Sequence, residues 1–298
     1  MKRHAIIKPA VFASSILFVG ATSGLTAGEP APIIPAPAPE CGNAGWTFTA
    51  AALYLKSYGT GSALIDDESL YSGGTYDGDF DWGFRGSIGY ERPDGLFFRL
   101  VGFWWEGDYD RKNGSTDFDG DEIRRDGGSS KAYSFDLLVG DTFCPTQNTS
   151  VEVSAGLRYA KVERDQKIDA VNVGDPDINY SLSRDLEFDG WGPTFQIRGR
   201  RTLTDRIGLY ADFQQSFLFG EAELSHTKDG LIDDDWDDKG TADTLAAISE
   251  IRGGIEFLWG WNQIQNAYLR LGGEGQYWWI DSDAIGLVGG VAEVGFNF

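Results

Sequence analysis

Hydrophobic and polar side chains alternate with a period of two from residue 46 to the end of the chain. In 149–163, Val153, Leu157 and Tyr159 fall on one face, whereas Glu152 and Arg158 fall on the other. This is the pattern of β-strands, because successive side chains of a strand point to opposite faces. Ten predicted strands follow it, at 46–57, 80–91, 96–107, 131–143, 149–163, 186–200, 206–220, 244–260, 265–280 and 285–298.

The lengths of these segments distinguish a membrane barrel from a soluble β-sandwich, which can also alternate. A tilted transmembrane strand needs roughly 9–11 residues, whereas strands of globular proteins are commonly about 5–6 residues long. Every predicted segment is long enough to cross a membrane. The sequence therefore favours transmembrane strands.

The links between the segments alternate between long and short. Outer-membrane barrels have long external loops, short periplasmic turns and an even number of strands. We therefore predict an all-β fold, a closed antiparallel transmembrane β-barrel of about ten strands, or twelve if a long link hides a hairpin. The predicted long extracellular loops are 58–79, 108–130, 164–185 and 221–243, with a short fifth at 281–284, and the predicted periplasmic turns are 92–95, 144–148, 201–205 and 261–264.

Aromatic residues cluster near the ends of the predicted strands, as expected for girdles at the two membrane interfaces. The chain stops at Phe298, which is preceded by apolar residues at alternate positions. This ending resembles the signal that the outer-membrane assembly machinery recognises, so this machinery is an expected partner. The predicted outer girdle contains Trp82, Trp104, Trp105, Trp191, Trp278 and Trp279, and the inner girdle contains Trp259 and Trp261.

The first 45 residues do not follow the strand pattern. Three basic residues, Lys2, Arg3 and Lys8, precede a short apolar stretch, and a small residue, Ala27, precedes Gly28. This order predicts a secretory signal peptide at 1–27. The proline-rich stretch after it predicts an extended periplasmic leader at 28–45. The barrel then covers 46–298, and the predicted location is the outer membrane of a Gram-negative-type envelope.

Charge adds constraints on partners. Without the signal peptide, 22 lysines and arginines face 46 acids, which gives a net charge of −24. Such a chain repels nucleic acid. Nine of the acids lie in 221–243, and we interpret them either as a solvated loop or as a site for divalent cations, alone or bridging to lipopolysaccharide phosphates. The candidate cation ligands are Asp233, Asp234, Asp235 and Asp237. No resident cofactor is expected.

Two cysteines, Cys41 and Cys144, both fall on the periplasmic side of the predicted topology. That compartment permits disulfides. A bond between them would close a loop of about a hundred residues. Two unpaired thiols are the alternative, and the sequence leaves both open.

The polar face of each strand predicts which side chains lie inside the barrel. Charges that face lipid would cost about 2–4 kcal/mol each at the midplane, so an inward orientation is favoured. The predicted pore-lining residues are Arg85, Arg99, Asp136, Glu152, Arg158, Arg198, Asp212, Arg252, Glu256, Arg270, Glu274 and Glu293. Six of each sign predict a neutral, cross-linked interior.

One hairpin gives a sharper expectation. Residues that face each other in an antiparallel pair have a constant index sum, and one register pairs Arg252 with Glu274 and Glu256 with Arg270. The two pairs could set the field of a pore. They could equally serve only to neutralise buried charge.

An enzymatic function is an alternative, because ten-stranded outer-membrane proteases exist. Their catalytic site resembles a His–Asp pair that faces two further aspartates. Beyond the signal peptide the only histidine is His226, and Leu224 occupies the position two residues before it, where the pair requires an acid. We therefore expect no enzymatic activity.

Several short motifs resemble the Legionella-type major outer-membrane-protein family of pore formers. They are Gly156-Leu157-Arg158-Tyr159-Ala160, Phe188-Asp189-Gly190-Trp191-Gly192-Pro193, Ser216-Phe217-Leu218-Phe219-Gly220 and Gly275-Gln276-Tyr277-Trp278-Trp279. The resemblance implies an outer-membrane β-barrel and passive transport, and it supplies no catalytic residues.

The first functional hypothesis is a porin-like pore with a narrow charged lumen for small solutes or ions. The alternative is a structural or adhesive barrel with a plugged lumen and loops that bind a partner. About eight strands give an interior that side chains fill, so ten strands leave little space. The expected surroundings are outer-membrane lipid and lipopolysaccharide, and a homo-oligomer is left open.

Overall fold

The computed structural model describes residues 44–60, 75–111, 121–172, 179–229, 236–261, 264–280 and 283–298. The chain divides into the units Met1–Ala38 and Pro39–Phe298, and all described residues belong to the second. The predicted signal peptide, most of the predicted leader, and Cys41 lie outside the described residues, so these domain boundaries stay predictions.

Ten strands form a closed antiparallel barrel, as predicted. The strand β1 pairs with β2 on one side and with β10 on the other, which closes the ring. The strands are β1 Gly45–Thr60, β2 Thr75–Glu91, β3 Leu96–Arg111, β4 Asp121–Thr146, β5 Thr149–Asn172, β6 Asn179–Thr204, β7 Ile207–Asp229, β8 Trp236–Trp261, β9 Ile264–Ile280 and β10 Asp283–Asn297. Within the described ranges, no helix is long and apolar enough to cross a membrane.

The turns at one end of the barrel are tight, and both ends of the barrel chain meet there. Gly95 has a φ of 91°, a conformation that glycine adopts without strain. A Cβ at this position would also lie 2.7 Å from the carbonyl oxygen of Thr142. At the seam, the backbone N–H of Trp46 donates to the carbonyl of Phe298 at 3.1 Å.

Five strands, β4 to β8, are 23 to 26 residues long and extend far past the predicted strand ends. Much of 164–185 and 221–243 is therefore paired strand, and the prediction of long loops there was wrong. Glu163, for example, pairs with Glu187, and Glu221 pairs with Asp243. Outward charges made these segments resemble loops in the sequence.

Along a single strand, apolar side chains shift from the outer face of the wall to the inner face, and charged side chains shift from the inner face to the outer face. In β5, Leu157 and Tyr159 point outward and are exposed, and Glu163, further along the same face, is charged. On the inner face the order reverses, because Arg158 is followed by Ala160 and then by Val162, which is buried. The lower part of the wall is apolar outside and charged inside, as lipid requires. The upper part is built like a water-soluble barrel.

The outer aromatic girdle contains four of the six predicted tryptophans. Trp82, Trp104, Trp191 and Trp279 are exposed on the outside. Trp105 and Trp278 are instead buried inside the barrel, with 0% and 1% of their surface exposed. The prediction for these two was wrong, because adjacent residues of a strand cannot share a face. At the other end Trp259 is exposed, whereas the side chain of Trp261 lies outside the described part.

Candidate functional site

All twelve charged residues predicted to face inward lie in the barrel interior, where they are buried or nearly so. Burial of so many ionised groups requires partners, since an unpaired buried charge is very costly. Each of the twelve has an oppositely charged partner from another strand. That they line a pore stays a prediction. The twelve are Arg85, Arg99, Asp136, Glu152, Arg158, Arg198, Asp212, Arg252, Glu256, Arg270, Glu274 and Glu293.

The first group of ion pairs crosses the lumen. Arg85 of β2 donates two hydrogen bonds to Glu274 of β9, at 2.7 and 2.6 Å. Arg158 of β5 donates two to Asp136 of β4, at 2.6 and 2.7 Å. Glu250 of β8 joins both arginines, because it contacts Arg85 at 3.5 Å and accepts a hydrogen bond from Arg158. In the ring, β8 is four strands from β2 and three from β5, so this chain of contacts spans the barrel.

A second group follows β3 to β8. Arg99 donates to Glu152 at 2.9 Å, and Arg198 lies 3.5 Å from the same carboxylate. Arg198 also donates to Asp212 at 3.1 Å, and Arg252 lies 3.3 Å from Asp212 on the opposite side. Positive and negative groups therefore alternate along the wall. Each carboxylate contacts two guanidinium groups.

A third group surrounds Arg270 of β9. Its guanidinium donates to Glu256 at 2.9 Å and to Glu293 at 3.0 Å. It also lies over the rings of Tyr268 and Tyr210, at 4.3 and 5.0 Å from their centroids. Aromatic faces attract cations and suit the planar arginine group. This end of the lumen thus contains aromatic rings as well as ion pairs.

The predicted register of the β8–β9 hairpin is confirmed. Arg252 faces Glu274 and Glu256 faces Arg270 in the backbone pairing. The second pair also forms an ion pair, at 2.9 Å. The first does not, because Arg252 turns to Asp212 of β7 and Glu274 takes the bidentate hydrogen bonds of an arginine on β2. Backbone register fixes which residues are neighbours, but side-chain geometry selects among several neighbours.

Several interior polar residues are not among the predicted pore-lining residues, and Glu250 is the most important of them. It lies two residues before Arg252 on β8, so the alternation already places it on the inner face. Gln214 was also missed, and it donates to Asp136 at 3.0 Å and to Thr194 at 2.9 Å. Such uncharged groups complete the hydrogen bonding of the buried carboxylates.

An apolar layer lies above the charged groups, toward the predicted extracellular end of the barrel. Phe103 of β3 and Trp278 of β9 meet across the lumen with ring centroids 6.4 Å apart, although their strands are four apart in the ring. The guanidinium of Arg85 lies 5.1 Å from the Phe103 ring, so the two layers touch. Other large members of the layer are Leu53, Leu55, Trp105, Val162, Phe188, Leu218, Ile248, Ile280, Ile285 and Leu287.

The outer surface above the girdle is strongly acidic. Acids face acids directly in the register, as in Glu163 with Glu187 and Asp189 with Glu221. Lys161 lies between two acids, 2.7 Å from Glu163 and 2.5 Å from Glu187. These hydrogen bonds raise the pKa of Lys161, which lies above the membrane-spanning part of β5.

The proposed divalent-cation ligands remain untested. Asp233, Asp234 and Asp235 lie outside the described residues, and the side chain of Asp237 is not described either. Among the residues that are described, no three His, Cys, Asp or Glu side chains are grouped so as to hold a metal ion.

Cys144 lies near the periplasmic end of β4 and is disulfide-bonded. Cys41 is the only other cysteine of the sequence, and it lies outside the described residues.

The backbone of His226 pairs with Arg184 of β6 and with Asp238 of β8. Its side chain is not described.

The family profile described as Legionella pneumophila major outer membrane protein precursor matches residues 37–287. The chain belongs to this family. It is therefore an outer-membrane protein, and its barrel is the fold expected of one. No curated protein sequence is significantly similar to the chain.

Solved structures of other outer-membrane barrels align with this chain. The outer membrane protease OmpT from Escherichia coli has a TM-score of 0.53 at 12% identity, over 85% of this chain and 97% of that one. The toluene transporter TodX from P. putida has a TM-score of 0.37 at 11% identity, over 85% and 90% of the two chains. The attachment invasion locus protein Ail of Yersinia pestis has a TM-score of 0.27 at 11% identity, over 86% and 99%. At such identities the similarity to OmpT concerns the fold alone.

Proposed function

We propose that this chain is a structural or adhesive outer-membrane barrel whose lumen is closed at rest. The supporting observation is that side chains from distant strands contact each other across the interior at two successive levels. The charged level is joined by Glu250, and the apolar level is joined by Phe103 and Trp278. On this view the lumen is a packed core, and partner binding takes place at the extracellular end.

The extracellular wall suits binding better than it suits catalysis. It rises above the girdle as paired strands, and its outer face is rich in exposed acids such as Asp165, Asp185 and Glu187. A strongly charged surface favours partners of opposite charge. We accordingly propose a basic partner surface and no enzymatic activity.

A narrow porin is the second candidate, and one observation favours it. The membrane-spanning half of the interior is filled with ion pairs, whereas a barrel that needed only a plug could be filled with apolar side chains. Buried ion pairs are often no more stabilising than apolar residues of similar volume. Charged groups would suit a path for small solutes or ions that opens when the two layers move apart.

Conductance of the purified barrel in a planar bilayer separates the two candidates. We expect no steady current from the wild type. The double variant Trp105→Ala/Glu250→Ala removes one member of each layer, so frequent channel openings are expected. The matched control Trp104→Ala/Glu187→Ala removes the same residue types from the outer surface and should remain closed.

A steady current through the wild type at low voltage would refute the closed barrel and support the porin. In that case the acidic mouth should concentrate cations, and reversal potentials in a salt gradient should show cation preference that fades at high salt. If the double variant stays as silent as its control, the two side-chain layers are not what closes the lumen.

A further inference from the structure

A hollow of about 410 Å³ opens on the lipid-facing side of the wall, over β8, β9 and β10. Its lining is almost entirely apolar. The outward-facing lining residues include Tyr58, Phe213, Ile251, Gly275, Tyr277 and Val288. Gly275 forms the floor, two residues before Tyr277 and four before Trp279 of the outer girdle. The hollow therefore lies just beneath the outer interface, in the outer half of the bilayer.

Packing contacts within this chain do not explain why the hollow is left empty. A Cβ added to Gly275 would meet only Ile251, at an ordinary 3.6 Å. Three further outward glycines, Gly253, Gly273 and Gly290, face one another across β8, β9 and β10, and a Cβ added to any of them would meet its nearest atom at an ordinary 3.5 Å or more. Glycine in a strand is destabilising by roughly 0.5–1 kcal/mol relative to alanine. Contacts within the chain therefore do not explain why these positions are glycine.

A lysine side chain lies beside the hollow. Lys56 of β1 faces Val288 directly in the register, and its ammonium lies 5.4 and 5.9 Å from the ring centroids of Tyr58 and Phe80. An ammonium has three N–H donors and can serve several partners at once. At the level of the outer girdle, its positive charge is complementary to a lipid phosphate.

We propose that this hollow binds an acyl chain of a phosphate-bearing lipid of the outer leaflet, with the phosphate held at Lys56 beside Tyr58. The shape of the site favours this occupant over a second barrel. A concave hollow on a convex wall admits a thin, flexible chain, whereas a second convex and rigid wall would leave it empty. A stable protein interface would also need about 800 Å² per partner. The proposal does not depend on whether the lumen conducts.

Native mass spectrometry can count the lipids that stay bound when the barrel is released from vesicles of phosphatidylglycerol and phosphatidylcholine in equal parts. We expect one phosphatidylglycerol per barrel in preference to phosphatidylcholine. Gly275→Leu fills the hollow, so the bound fraction should drop about tenfold. Lys56→Gln should keep the lipid but lower the preference for phosphatidylglycerol about threefold, as for an exposed charge pair.

The matched control is Gly102→Leu, on β3 of the opposite wall. A Cβ at Gly102 would meet nothing within 4 Å, so this variant adds the same bulk to the lipid-facing surface without filling the hollow. It should bind lipid like the wild type, and heat-modified gel migration reports folding of all variants. Unchanged lipid counts in Gly275→Leu, or an unchanged lipid preference in Lys56→Gln, would overturn the proposal. Barrel dimers that Gly275→Leu dissociates would also overturn it, because a second copy would then be the occupant.

Discussion

Glu250 holds two arginines that come from distant parts of the wall. Its carboxylate contacts Arg85 of β2 and Arg158 of β5, and the side chains of all three are almost fully buried. The charge of a group in this position is balanced only while both partners stay in place. Removal of one member of a buried ionic group commonly costs about 3–5 kcal/mol, because the remaining charge is left unpaired.

The change Glu250→Gln should therefore lower the free energy of unfolding by about 3–5 kcal/mol. Urea unfolding of the barrel in detergent micelles measures it. The control is Glu187→Gln, the same chemical change in an exposed ion pair with Lys161, which should cost about 1 kcal/mol or less. Equal effects of the two variants would show that the luminal carboxylate is not a critical link.

At this scale the sequence predicts orientation better than contacts. Alternation placed the twelve predicted charges inside correctly and would have placed Glu250 there too. The girdle prediction was wrong for Trp105 and Trp278 because it used residue type and ignored alternation. Alternation requires one tryptophan of each adjacent pair to point inward. The partner of Arg252 could not be foreseen, since Asp212 competes with Glu274 from the neighbouring strand.

The long strands β4 to β8 each pass through two solvents. In lipid, the outer face must be apolar and charges turn inward. Above the girdle, water surrounds the wall, so charges turn outward and apolar side chains fill the interior. Both faces keep their two-residue alternation where the strand leaves the membrane. The exchange of character therefore marks the membrane boundary within an unbroken strand.

This exchange explains why the strand ends were predicted too early. Outside the membrane, the outward positions of β5 and β7 include the acids Glu163, Asp165, Glu221 and Glu223. Acid-rich composition is typical of loops, and the inward residues there include small ones such as Ala222. The pairing partner, which lies on another strand, supplies the information that composition lacks.

Cysteine labelling on intact cells tests the extension of β5. A membrane-impermeant maleimide should label Glu163→Cys, which points outward into water, and should leave Val162→Cys unlabelled, since that side chain is buried. Leu157→Cys, on the same face as residue 163 but in the membrane, serves as the control and should also stay unlabelled. If residues 162 and 163 label equally, this stretch is not a paired strand with one buried face.

The strand topology of the whole barrel can be predicted from its sequence, whereas the closure of its lumen cannot. Strand count, antiparallel order and the side of the turns follow from local patterns, and the β8–β9 register followed from charge pairing. Closure of the lumen depends on contacts between strands that lie three or four positions apart in the ring, such as Phe103 with Trp278. No local pattern encodes which residues meet across such a distance.

A disulfide at the periplasmic end adds a covalent constraint to this fold. Cys144 is disulfide-bonded, and Cys41 is the only other cysteine in the sequence. If these two pair, the bond closes a loop of about a hundred residues, which the chain-entropy model values at about 4–5 kcal/mol. Such a bond would bind the leader to the turn between β4 and β5.

We therefore expect no reactive thiol in the denatured, unreduced protein and two thiols after reduction. Reduction should also lower the urea midpoint of the wild type, because the unfolded chain regains the entropy of the open loop. Cys144→Ser is the control: its midpoint should match that of the reduced wild type and should not respond to the reductant. Two free thiols before reduction would exclude the bond. One free thiol, with a dimer that the reductant dissociates, would mean that the bond joins two chains, and the loop-closure argument would then not apply.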